Sequence, residues 1–210
     1  EFNLRYAYAD ADELFANPEI DAVVLSLPNH LHASMAVKAL RAGKHVLVEK
    51  PIANSAAVVD EMIKARDESG KTLMVGYNQR FSPDRYACRD VIRSGKIGDV
   101  YMAEAAWNHR WMNVGLFQRG PWFFSMEKAG GGPMVDLGIH KLDLLLFLLD
   151  FPEVASVTGT RSDGLGKALA AEQGFDFDIE DNAMGFVRLK NGGVIKIEAA
   201  YLNSQPEIEY

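Results

Sequence analysis

Two short runs in this chain place proton-handling side chains on a constrained backbone. They are Glu49-Lys50-Pro51 and Asp136-Leu137-Gly138-Ile139-His140. A lysine followed by proline is pushed toward an extended conformation, so its ammonium is presented from a stiffened chain and can donate or exchange a proton with a hydroxyl or carbonyl. The plainer alternative for Lys50 is a surface lysine paired with Glu49. In the second run, Gly130-Gly131-Gly132-Pro133 is a good helix start, and the expected helix spans Pro133 to Leu149. It would carry Asp136, His140 and Asp143 on one stripe at i, i+4 and i+7, among leucines that imply burial. Buried polar groups need partners or a purpose. A general acid or base is one reading of His140, and a core histidine bonded to a carboxylate is another. A metal site is a weak third, because no further His or Cys cluster completes a ligand set.

The elements that must position these residues divide the chain in two. From Asp21 to Gly76, short β-rich runs alternate with helical patterns, which is the signature of a parallel sheet with crossover helices. The expected strands are Ala22–Leu27, His45–Val48 and Thr72–Val75. Leu31–Ala42 is the first crossover helix, stopped by Gly43, and the second is capped at Asn54 or Ser55 and ends near Gly70. Ligands of such sheets gather beyond the carboxyl ends of the strands. Those exits read Pro28-Asn29-His30-Leu31-His32, Glu49-Lys50-Pro51 and Tyr77-Asn78-Gln79-Arg80. Any one alone is plausible as a solvated loop; three polar exits on one edge point to a binding site.

Ser82-Pro83 opens a further helix that Gly95 stops. Beyond it the texture changes to Val100–Trp107, Val157–Thr160 and a hairpin of Ala183–Leu189 and Val194–Ala200 around Asn191-Gly192-Gly193. The expected fold class is therefore α/β: part of a Rossmann-type parallel sheet over residues 1–94, then an α+β domain with a mainly antiparallel open sheet over 95–210.

The 210 residues are 48% hydrophobic and 24% charged, the composition of an ordinary globular chain. The net charge of −7 argues against nucleic acid or an anionic membrane as partner. A small molecule is the easier ligand. Cys88 is the single cysteine, so no disulfide forms within the chain. The apolar run Leu142–Leu149 is too short to span a bilayer, and the N-terminus lacks a secretory signal. A cytoplasmic location is the expectation.

These motifs resemble the Gfo/Idh/MocA oxidoreductases. Their Glu-Lys-Pro stands here as Glu49-Lys50-Pro51, preceded by Ala39-Leu40-Arg41-Ala42-Gly43-Lys44-His45-Val46, and their glycine run with Asp-x-Gly-x-His stands as Gly130–Gly132 and Asp136–His140. The similarity runs from about Tyr8 to at least Asp150. It implies NAD or NADP on the Rossmann part and Lys50, Asp136 and His140 as the reactive cluster. Pro28, Asn29, His32, Glu49, Lys50, Asn78 and Arg80 would then lie near the cofactor. His140 would serve as acid or base on a substrate hydroxyl, with Lys50 orienting and polarising that oxygen. The substrate would be a sugar, polyol or related cyclic alcohol, in a pocket that Trp107–Trp122 helps to shape. The open sheet of the second domain would join copies of the chain in a homo-oligomer.

Two features depart from the family. No Gly-x-Gly-x-x-Gly precedes Tyr8, and the residue that distinguishes NAD from NADP after the second strand is missing. The sequence thus reads as an internal portion of a longer enzyme that by itself binds NAD weakly. NAD-dependent glycoside cleavage and a non-catalytic sensor or assembly module are the alternatives on the same scaffold.

Overall fold

The computed structural model describes residues 4–109, 120–203 and 208–210. It divides into two compact units, Glu1–Gly76 and Tyr77–Tyr210. In the first, α1 (Ala11–Ala16), β1 (Ala22–Leu25), α2 (Asn29–Arg41), β2 (His45–Val48), α3 (Ala56–Ser69) and β3 (Leu73–Val75) follow in order. The strands pair in parallel, β1 with β2 and β2 with β3. Leu25, Val46 and Val48 pack with Ala33, Ala36, Ala39 and Leu40 of α2 and Met62 and Ala65 of α3. The alanines let α2 lie close to the sheet.

Helix α3 starts after Ser55 and stops at Gly70, whose φ of 65° places it in the left-handed region where glycine carries no penalty. Two ends differ from the sequence expectation. Strand β1 stops at Leu25 rather than Leu27, and α2 begins at Asn29 rather than Leu31. Pro28, with φ −56° and ψ 140°, stands as the N-cap and recruits Asn29 and His30 into the first turn. The opposite sheet face carries an in-register row, Val24, Leu47 and Met74, that is 67%, 36% and 44% exposed.

The second unit opens with a short 3₁₀ turn, Asn78–Phe81, and α4 (Pro83–Arg93). Then come β4 (Met102–Asn108), α5 (Met126–Ala129), α6 (Ile139–Leu148), β5 (Val154–Ser162), α7 (Gly164–Gln173), β6 (Asn182–Leu189), β7 (Val194–Ala200) and β8 (Ile208–Glu209). The sheet order is β5-β6-β7-β4-β8, antiparallel throughout except for the β4–β7 pair. The leucines of α6 cover one face: Leu142, Leu145, Leu146 and Leu149 pack on Val187, Leu189 and Ile195. On the other face Met102, Met184 and Phe186 are exposed.

The sequence reading puts α4 with the first domain, before residue 95. In the structure it packs with the second unit, where Tyr86 meets Phe147 edge-on at 5.7 Å and Arg93 Nε donates to Asp150 at 2.8 Å. Hydrogen bonds from Arg93 and then Arg89 hold the Asp150 carboxyl down at about 2. Helix α7 and strand β8 have no counterpart in the sequence reading. Gly166 is needed within α7 because a side chain there would strike the Phe177 ring. Of the segment Trp107–Trp122, residues 110–119 lie outside the described residues. Among the described residues no helix is long and apolar enough to cross a membrane.

Candidate active site

In the first unit the exits of β1 and β2 carry the expected polar residues. Pro28 is the N-cap of α2 and makes no side-chain cap hydrogen bond of its own, and Asn29 is the first residue of the helix. The N-terminal N–H groups of a 13-residue helix and its dipole favour an anion there. Glu49 and Lys50 follow β2, and the Glu49 carboxylate accepts the Lys50 backbone N–H at 3.2 Å. Glu49 also lies against Gly76, where a side chain would come within 3.2 Å of its carboxylate. The Lys50–Pro51 peptide is cis. His32 is 1% exposed, and its two ring nitrogens lie 2.7 Å from the Pro51 carbonyl and 2.8 Å from that of Leu27. Its polar atoms are spent on the chain's own backbone.

In the second unit the expected single helix Pro133–Leu149 is two pieces. A π-helical turn, Met134–Gly138, precedes α6, so the Asp136-to-His140 spacing crosses a junction instead of following one regular stripe. Gly132 explains why the turn can start here. A side chain at this position would lie 2.0 Å from the Glu180 carbonyl oxygen. The Glu180 carboxylate accepts the Met134 N–H at 3.3 Å, and the Tyr201 hydroxyl donates to Asp136 Oδ2 at 3.2 Å. Tyr201 is 1% exposed and fixed by its own N–H to the Asp181 carbonyl. The His140 ring lies 5.9 Å from that of Trp107, between centroids, with Lys141 Nζ 5.4 Å from the Trp107 centroid. Turns of this kind recur at functional sites because they displace a side chain from the regular helical register.

The last member of the expected stripe has another role. Asp143 receives Arg80 Nε at 2.7 Å, and the second Arg80 nitrogen bonds its other oxygen. The guanidinium also lies 5.3, 5.7 and 5.0 Å from the ring centroids of Tyr77, Phe147 and Phe151. Burial, reinforced by the Asp143 charge and opposed by Arg80, pushes the Tyr77 phenol up to about 12. Arg80 is thus committed to an ion pair, while Asn78 sits two residues earlier in the same 3₁₀ turn. Tyr201 and Glu180 are absent from the sequence reading. The one signal for Tyr201 was its place directly after the β7 run, a polar exit like those of the parallel strands.

Comparison with known proteins covers nearly the whole chain. The description "Oxidoreductase family, NAD-binding Rossmann fold" matches residues 1–77, and the Gfo/Idh/MocA C-terminal domain matches 86–210. The chain is similar to D-glucoside 3-dehydrogenase of Escherichia coli K12, 32% identical over 86% of this chain and 52% of the relative. It is similar to 1,5-anhydro-D-fructose reductase of Ensifer adhaerens, 33% identical over 96% of this chain and 56% of the relative. Among solved structures, levoglucosan dehydrogenase in complex with NADH and levoglucosan superposes with a TM-score of 0.80 at 26% identity, covering 97% of this chain and 53% of that one. The chain spans about half the length of the curated relatives it matches.

Proposed function

This chain belongs to the Gfo/Idh/MocA family of oxidoreductases, and on that premise we propose that it serves NAD- or NADP-dependent hydride transfer to or from a sugar, polyol or related cyclic alcohol. The observation that carries the reading is the buried Tyr201 hydroxyl on Asp136, inside the π-helical turn that leads into His140. A core phenol spent on an acidic side chain beside a histidine suits an orienting carboxylate better than a solvated surface. The relatives' sugar substrates support the substrate class.

The residues at the exits of β1 and β2 fit a nicotinamide dinucleotide. The N-terminal end of the α2 dipole favours the negative charge of its phosphates, and Asn29 and the apolar ring of Pro28 stand at the same point. The bound cofactor supplies the hydride acceptor or donor at the reacting carbon. The chain's own residues handle the proton. His140 removes it from the substrate hydroxyl during oxidation and returns it during reduction, and Lys50 supplies an ammonium that polarises a substrate oxygen. Asp136, held by Tyr201, orients the cluster or the substrate. The exposed sheet face around Met102, Met184 and Phe186 supports association of copies of the chain.

The test is the formation of NADH, read by its near-ultraviolet absorbance, when the enzyme carrying this chain meets NAD and a panel of pyranosides and cyclic polyols. Oxidation of at least one supports the reading. Tight cofactor binding with no turnover across the panel, in either direction, would contradict it.

A further inference from the structure

We propose that His32 is a positioning residue that ties the turn carrying Lys50 to the exit of β1; its catalytic meaning rests on the role proposed above for Lys50. His32 is the fourth residue of α2 and 1% exposed. It lies 19 residues from Pro51 and five from Leu27 in sequence, yet its ring spans their carbonyls at 2.7 and 2.8 Å. The β1–β2 ladder ends at Leu25 and Val48, so both carbonyls lie beyond its register. Pro51 is itself buried, and Ile52 and Ala53 pack against the core of the unit.

A carbonyl oxygen only accepts, so a ring nitrogen that carries a proton donates to the carbonyl it faces. An apolar side chain of the same bulk would fill the space but hold neither. The consequence falls on Lys50. Its N–H is held by the Glu49 carboxylate, and the carbonyl one residue beyond it is held by His32. Lysine has a long, flexible side chain, so the aim of its ammonium depends on how firmly its backbone is fixed, and catalytic geometry tolerates errors well under about 1 Å. The same ring fixes the β1 exit, where Pro28 and Asn29 begin α2. One buried side chain therefore sets the spacing of two strand exits.

The ring is read directly by long-range proton–nitrogen correlation spectra of the isotopically labelled chain. The tie requires a ring N–H in slow exchange with water; ring protons that exchange freely overturn it. Amide exchange in His32→Leu and His32→Gln separates the tie from simple core filling. Loss of a buried hydrogen bond in His32→Leu should speed exchange at Lys50, Ile52, Ala53 and Asn54 by about tenfold. The amides within β2 should keep their rates, and His32→Gln, whose amide has two N–H groups, should recover most of the protection. Unchanged exchange at Lys50–Asn54, or equal acceleration throughout the sheet, overturns the proposal. Should His32→Leu fail to fold, the wild-type ring spectrum and His32→Gln still decide. In the enzyme carrying this chain, His32→Leu should lower kcat more than it raises the KM for cofactor. Altered exchange with unaltered turnover would leave the tie standing and remove Lys50 from the chemistry.

Discussion

His32, Arg80 and Asp143 show how one residue type serves two ends. In the sequence all three are polar residues at the places where a doubly wound sheet and a buried helix would bind a ligand. In the structure His32 spans two backbone carbonyls and Arg80 forks onto Asp143. Pro51 lies 19 residues from His32 and Asp143 lies 63 from Arg80, beyond the reach of any local pattern. Tyr201 escaped notice for the same reason, since Asp136 is 65 residues before it. Asp136, His140 and Lys50 stand out in the sequence because each sits in a motif whose neighbours constrain it. The Arg80–Asp143 pair has a measurable signature in Tyr77, whose phenol is pushed up to about 12 by burial and by the Asp143 charge. A phenol raised in the folded state contributes stability that is present below its ordinary value of 10.0 and is lost as pH rises toward 12. Ultraviolet phenolate titration should show a late step that Tyr77→Phe removes. A Tyr77→Phe profile identical to wild type would mean that this ring is not buried against the pair.

Elements were read well where a pattern repeats and poorly where packing overrides propensity. Strand β2 and strand β7 stand where alternation puts them, and Gly70 ends α3 as its left-handed backbone requires. The wide turn Met134–Gly138 was illegible, because the apolar residues Met134, Val135 and Leu137 lead straight on into the leucines of α6; Glu180 and Tyr201 hydrogen-bond to it. Helix α7 was illegible for the opposite reason. Its glycines look like loop, but Ala170 packs into the cluster of Phe124, Phe177 and Tyr201. Gly132 is the element-scale test. A methyl group there would meet the Glu180 carbonyl at 2.0 Å, so Gly132→Ala must displace either the turn or the β6 approach. The expected cost is about 1–3 kcal/mol, the range for overpacking, measured as a lower melting temperature and denaturant midpoint. Unchanged stability would show that the turn has room to move.

At the scale of the whole molecule, the expected class, a parallel Rossmann-type sheet followed by an α+β unit with an open sheet, is the observed one. The open sheet leaves Phe186 and Met184 exposed on a face paired in register with Lys196 and Glu198. If that face joins copies of the chain, Phe186→Glu should lower the mass found by light scattering while leaving the circular dichroism spectrum intact; the same mass in both proteins would place any association elsewhere.

The central claim is that His140 and Lys50 each take part in the proton chemistry, and it is tested most directly by steady-state turnover of His140→Ala and Lys50→Ala in the enzyme carrying this chain. Hydride cannot leave an alcohol carbon efficiently unless the hydroxyl proton departs with it. Each substitution should therefore lower kcat by about 10²-fold or more, the usual scale for losing an acid–base group, with NAD affinity and melting temperature little changed. Near-wild-type kcat in both variants, accompanied by a fall in melting temperature, would contradict the account and leave the two residues as structural members of the fold.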